Sequence, residues 1–142
     1  MKLYNTEADL ITDSGLIYTT LTHGVNINKK KLGAAGEDFA EYYLVLNKFK
    51  VLKKNYRTRF GEIDIIAFKD NTVFFFEVKT RKSNVYGFAE EAVNGLKKNK
   101  IINTALRYIY ENKTLSGYNM NFSLIAIQIE AGEIDIKLIP MN

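Results

Sequence analysis

Val73-Phe74-Phe75-Phe76 is the feature that most limits what this chain can fold into. Successive side chains of a strand point to opposite faces, so four large apolar residues in a row require cover on both sides. The rest of the chain supplies that cover. Ile63-Asp64-Ile65-Ile66-Ala67-Phe68 reads as a partner strand, joined through Lys69-Asp70-Asn71-Thr72. Val51 to Arg59 reads as a strand before it. From Gly33, Ala35, Phe39, Tyr42 and Leu46 recur at helical spacing, which predicts a helix over 33–48. Ala89, Ala92, Val93, Leu96, Ala105, Leu106 and Ile109 predict a second helix over 88–112. Phe122–Ile129 and Ile134–Ile139 flank Glu130-Ala131-Gly132-Glu133 as a final hairpin. The expected fold is α/β (mixed α+β), a five-stranded mixed sheet flanked by helices in the order αβββαββ. Residues 1–28 read as an arm or peripheral hairpin, and 29–142 as a single domain.

Several chemistries are closed to this chain. It has no cysteine, so thiol catalysis, disulfide frameworks and Cys-containing zinc sites are excluded. His23 is its only histidine, which excludes a multi-histidine metal centre. No apolar run approaches the ~20 residues of a membrane helix. Glu7 and Asp9 do not suit a signal peptide, so a cytoplasmic location without membrane contact is expected. The net charge of +4 is unevenly spread. Residues 29–59 carry nine Lys/Arg against three acids, and residues 81–113 carry seven against three. Acids concentrate between these flanks, an arrangement that leans toward a polyanion such as nucleic acid.

The acids between the flanks have a defined geometry. If Asp70-Asn71 is a two-residue turn, Asp64 lies directly opposite Glu77, and Glu62 opposite Lys79. Glu77 and Lys79 share a strand face, as do Glu62 and Asp64. An odd-length loop without a bulge would separate Asp64 from Glu77. Facing carboxylates destabilise a hairpin unless a cation lies between them, and that cation is either Lys79 or a divalent ion. The all-oxygen donors suit Mg²⁺ or Mn²⁺. A salt-bridge cluster on an exposed strand face is the other reading, although the Phe74–Phe76 strand is a costly place for stray charge. Gly-Glu-Ile-Asp-Ile recurs at 132–136, but Glu133 and Asp135 lack a downstream Glu-x-Lys and read as the polar face of an edge hairpin.

Asp64, a hairpin and then Glu77-Val78-Lys79, preceded by a helix bearing Glu37, resembles the PD-(D/E)xK signature of restriction-endonuclease-like nucleases. More specifically, Gly36-Glu37, Asn55-Tyr56-Arg57, Gly61-Glu62-Ile63-Asp64, Phe76-Glu77-Val78-Lys79-Thr80-Arg81, Tyr86-Gly87, Ala92-Val93 and Lys97 resemble the bacterial YraN family, related to archaeal Holliday-junction resolvases. The resemblance covers about residues 33–139. It implies a restriction-endonuclease-like core and a Mg²⁺- or Mn²⁺-dependent endonuclease acting on DNA, including branched DNA. Asp64 and Glu77 would then be metal ligands, Glu37 a further ligand or supporting acid, and Lys79 the residue that positions or activates water. Arg81, Lys97 and Arg57 would contact nucleic acid. Two departures stand out: Asn121-Phe122-Ser123 replaces the Arg-Phe-Asp common in the family, and Ile63 replaces the proline before Asp64.

The alternative to an enzyme is a non-catalytic nucleic-acid-binding module on the same fold. Cutting two strands needs two clusters, so a homodimer is a further expectation, with Tyr18, Leu21, Ile134 and Leu138 as candidate contacts.

Overall fold

The turn at Asp70-Asn71 sets the register of the sheet. In the computed structural model, which describes residues 29–82, 95–130 and 133–141, both residues take left-handed φ angles, 51° and 58°. A two-residue type I′ hairpin needs such a pair, and Asp and Asn tolerate it. Strand β2 (Gly61–Lys69) therefore pairs antiparallel with β3 (Thr72–Arg81), from Lys69↔Thr72 to Ile65↔Phe76. This is the register expected from the sequence.

Strand β1 (Lys50–Thr58) adds antiparallel to β2, with an irregularity between Val51 and Lys53. Beyond β3 the chain forms helix α2 (Gly95–Glu111) and a 3₁₀ turn (Lys113–Leu115), and returns as β4 (Asn119–Glu130), parallel to β3. Strand β5 (Glu133–Pro140) closes the sheet antiparallel to β4. The strands lie in the order β1-β2-β3-β4-β5, with helix α1 (Lys29–Leu46) before them. This is a mixed α/β domain with the αβββαββ order of a restriction-endonuclease-like core.

The apolar run divides between two cores as its lack of alternation requires. Phe76 and Val78 pack with Phe39, Ala40, Tyr43 and Leu44 of α1. Val73 and Phe75 pack with Ile101, Ala105 and Tyr108 of α2. Burying these aromatic and branched side chains is worth about 1.5–3 kcal/mol each.

Helix α1 runs earlier than the expected 33–48, from Lys29 to Leu46. Asn47 ends it, donating its side-chain amide to the Tyr43 carbonyl at 2.8 Å, and Lys48 turns left-handed at φ 70°. The first seven residues of the expected second helix, 88–94, lie outside the described residues, as does the arm 1–28. Leu46 and Leu106, read as markers of apolar helix faces, are exposed. Ile134, a candidate dimer contact, is buried, and Leu138 packs on the α1 core. Both are used in joining β5 to the domain. Tyr18 and Leu21 lie outside the described residues.

Candidate active site

The regularity of the β2–β3 hairpin stops where the acids begin. Hydrogen-bonded pairs recur every second residue from the turn, so a continued ladder would bring the Val78 N–H to the Ile63 carbonyl. Instead, Val78 donates to Asp64 Oδ2 at 2.8 Å. Strand β2 also changes its facing here. Ile65 and Ala67 pack with the α1 core, whereas Ile63 joins Ile66 in the α2 core. Across on β1, Asn55 takes a left-handed φ of 52°, between the pairs Lys54↔Ile65 and Tyr56↔Ile63. The carboxylate thus takes over a ladder bond and lies where β2 and β3 part.

Glu77 keeps the regular alternation of β3, opposite in facing to Phe76 and Val78, and so meets α2. Its side chain is largely buried and hydrogen-bonds to Lys97 of that helix, with Lys79 3.6 Å away. Glu37 comes from α1 and lies close enough to Asp64 for the two carboxyls to influence one another's protonation. A close approach brings α1 here, since Gly36 packs directly on Thr80 of β3. Glu37, Asp64, Glu77 and Lys79 therefore line one cleft of about 690 Å³, together with Glu62, Arg81 and Lys97.

The electrostatics show Asp64 crowded by the other acids, while the lysines of the cleft lie against Glu77. Burial, then the charge of Glu77, pushes the Asp64 carboxyl up to about 8, against the Val78 N–H, which lowers it; Glu37 and Glu62 push further upward. Glu37 is also raised, by burial first, while its contact with Asp64 works the other way. The Lys79 ammonium is lowered, by burial and then by the hydrogen bond and charge of Lys97, with Glu77 opposing. For Lys97 burial, the largest single cause, works downward, but the hydrogen bond and charge of Glu77, the contact with Lys79 and the charge of Asp64 together outweigh it, and the net shift is upward.

The donor set suits a hard divalent cation. Two carboxylates and waters satisfy Mg²⁺ or Mn²⁺, and a cation beside Asp64 would relieve the repulsion that raises it. Among the described residues no three acidic side chains already stand as a metal-holding group. The physical reason is visible at Glu77, whose carboxylate is turned to the lysines. A cation there would take the place of the Lys97 ammonium.

Of the residues expected in the site, Asp64, Glu77, Lys79, Glu37, Arg81 and Lys97 converge on the cleft. Lys97, expected as a phosphate contact, pairs with Glu77 across the cleft. Arg57 stands outside the cleft and pairs with Glu62 at 3.2 Å. The expected Glu62–Lys79 pairing does not form, because the β2–β3 ladder ends three residues earlier and Glu62 lies across from Arg57 on β1. Asn121 and Ser123, where the family motif differs, hydrogen-bond to one another at 2.5 Å. Sequence reasoning did not find the Lys97–Glu77 bond or the Gly36–Thr80 contact. No local signal carries either, since each joins elements far apart in the chain.

Among the described residues no helix is long and apolar enough to cross a membrane. The family model of Uncharacterised protein family UPF0102 matches residues 36–127, a span that includes every residue named in the cleft above. A UPF0102 protein of Alkaliphilus oremlandii is 43% identical over 101 residues, 70% of this chain and 86% of the relative. One from Sulfurihydrogenibium is 43% identical over 102 residues, 72% of this chain and 88% of its own. One from Clostridium acetobutylicum is 42% identical over 112 residues, 78% and 91% of the two chains. With its matched span and its relatives in agreement, the chain belongs to Uncharacterised protein family UPF0102, the YraN family.

Proposed function

We propose that this protein is a divalent-cation-dependent endonuclease that hydrolyses phosphodiester bonds of DNA in the cytoplasm, with branched DNA among its substrates. The observation that carries this reading is the convergence of Asp64, Glu77, Glu37 and Lys79 in a cleft edged by Arg81, Lys82 and Lys100. Asp64 and Glu77 would hold Mg²⁺ or Mn²⁺, with Glu37 as a further ligand or as the group that orients Asp64. The ion, when bound, supplies activation of water and stabilisation of charge on phosphorus. Lys79 then acts beside the scissile phosphate. Its lowered ammonium pKa suits a group that orients the attacking water and exchanges a proton with it. The basic edge holds the phosphodiester backbone through charge, so binding weakens steeply with salt.

A supercoiled-plasmid nicking assay and a labelled four-way junction, each with Mg²⁺, Mn²⁺ or EDTA, test this reading. Metal-dependent cleavage that Asp64→Ala abolishes is the expected result. One observation favours a second reading, a nucleic-acid-binding module without turnover: Glu77 is already satisfied by Lys97 and Lys79. Salt-sensitive DNA binding with no cleavage in either metal would select it. Cutting both strands of a duplex would require two copies of the cleft, and sedimentation with and without DNA reads that assembly directly.

A further inference from the structure

Beside the cleft lies a second groove, of about 460 Å³, lined by Arg57, Thr58, Arg59, Phe60, Arg107 and Glu111. Its tip is the β1–β2 turn. Gly61 follows Phe60 with φ 155°, and a methyl group on it would approach Thr104 Oγ1 of α2 to 3.2 Å. The turn is therefore seated on α2, and the Phe60 N–H is held by Thr58 Oγ1 at 3.1 Å. Phe60 is nonetheless 41% exposed, with the Arg59 guanidinium lying over one face of its ring, 5.0 Å from the ring centre.

The groove's one acid is already engaged: Glu111 accepts from the Tyr56 hydroxyl and pairs with Arg107 at 3.5 Å. Arg57 bridges the two sites, since it lines the groove while its partner Glu62 lines the cleft. The groove thus offers net positive charge around a partly exposed aromatic ring, which Arg59 covers on one face while leaving the other face to a ligand, one ion pair away from the cleft of Asp64 and Glu77.

Cations select an anionic partner, and an open aromatic ring selects a flat one. Paired bases in a duplex are stacked on each other and expose no ring face at a groove edge. Unpaired bases do, and they stack on aromatic side chains irrespective of sequence. We propose that this groove receives an unpaired DNA strand, with a base stacked on Phe60 and its phosphates on Arg57 and Arg59. Resting on the nuclease reading, this assigns the substrate class as DNA with a junction between duplex and single strand, the duplex entering the cleft and the unpaired strand leaving over the β1–β2 turn.

Fluorescence anisotropy in EDTA, where no cleavage occurs, tests the groove apart from the chemistry. The probes are a labelled duplex with a single-stranded overhang and the blunt duplex of the same sequence. Wild type binds the overhang probe more tightly. Phe60→Ala reduces that preference by about 5- to 150-fold, the range of base–aromatic stacking, and leaves blunt-duplex binding unchanged. Phe60→Trp preserves the preference, and Arg59→Ala, at an exposed position, weakens it independently. Equal binding of the two probes by wild type, or a preference untouched by Phe60→Ala and Arg59→Ala, overturns the groove even if the protein cleaves DNA. A Phe60-dependent preference without cleavage in Mg²⁺ or Mn²⁺ supports the groove and counts against the nuclease.

Discussion

Gly36 of α1 lies so close to Thr80 of β3 that a methyl group on its α-carbon would come within 1.9 Å of the Thr80 hydroxyl oxygen and 3.1 Å of its Cβ. A helical glycine replaced by alanine ordinarily gains about 0.5–1 kcal/mol. Here the sign reverses, because threonine is stiff at χ1 and the helix must back away. Gly36→Ala is expected to cost about 1–3 kcal/mol in urea unfolding and to lower any metal-dependent activity, since Glu37 moves with the helix. Adding Thr80→Ala removes the first obstacle and should recover much of the loss. A purely additive double mutant would refute the steric account.

The Asp64 carboxyl, raised from the ordinary range near 4 to about 8, makes stability depend on pH. The folded protein holds this proton more tightly than the unfolded chain does. Its stabilising effect is complete below about pH 4 and is lost as pH rises through about 8. Without divalent cation, the urea midpoint should therefore fall between pH 5 and pH 9, and Asp64→Asn should flatten the fall. Because a metal ligand must be deprotonated, Mg²⁺ or Mn²⁺ binding should release a proton and tighten with rising pH up to about 8. Calorimetry in two buffers of different ionisation enthalpy measures that release.

Lys97 and Glu77 predict a trade between a tethered cation and a free one. Lys97→Met leaves Glu77 buried with Lys79, at 3.6 Å, as its remaining ion-pair partner among the described residues. A loss of about 1–3 kcal/mol is expected, discounted because Lys97 is partly exposed. Added Mn²⁺ should then stabilise Lys97→Met more than it stabilises wild type, read as a larger shift in melting temperature at equal metal. An equal shift in both proteins would show that Lys97 does not compete for the site.

Lys79 separates chemistry from stability. Lys79→Ala should lower cleavage by about 10²–10⁴-fold while shifting the urea midpoint little, because Lys97 still neutralises Glu77. Cleavage at wild-type rate in Lys79→Ala would remove this lysine from the chemistry.

Local sequence determined the scaffold of this protein. Val73-Phe74-Phe75-Phe76 required a strand covered on both faces, and Asp70-Asn71 is a pair that accepts two left-handed residues; together they determined the β2–β3 register. That register carries Asp64 and Glu77 to the same end of one hairpin, and the alternation of β3 places Lys79 beside Glu77. These are period-two and turn-geometry effects, in which each residue's position follows from its immediate neighbours. What only the tertiary structure decided is where each charge finds its partner. The ladder breaks at Asp64, Glu77 turns to Lys97, Glu62 takes Arg57, and Gly36 admits α1 close enough for Glu37 to reach Asp64. A charged side chain is placed by the balance of desolvation and the nearest opposite charge, and that charge comes from whichever element the packed cores bring alongside. Lys97 is 20 residues from Glu77 on another element, so no local spacing could assign it. Leu106 and Ile134 show the same division, because periodicity marks an apolar face but only packing shows whether a neighbour covers it.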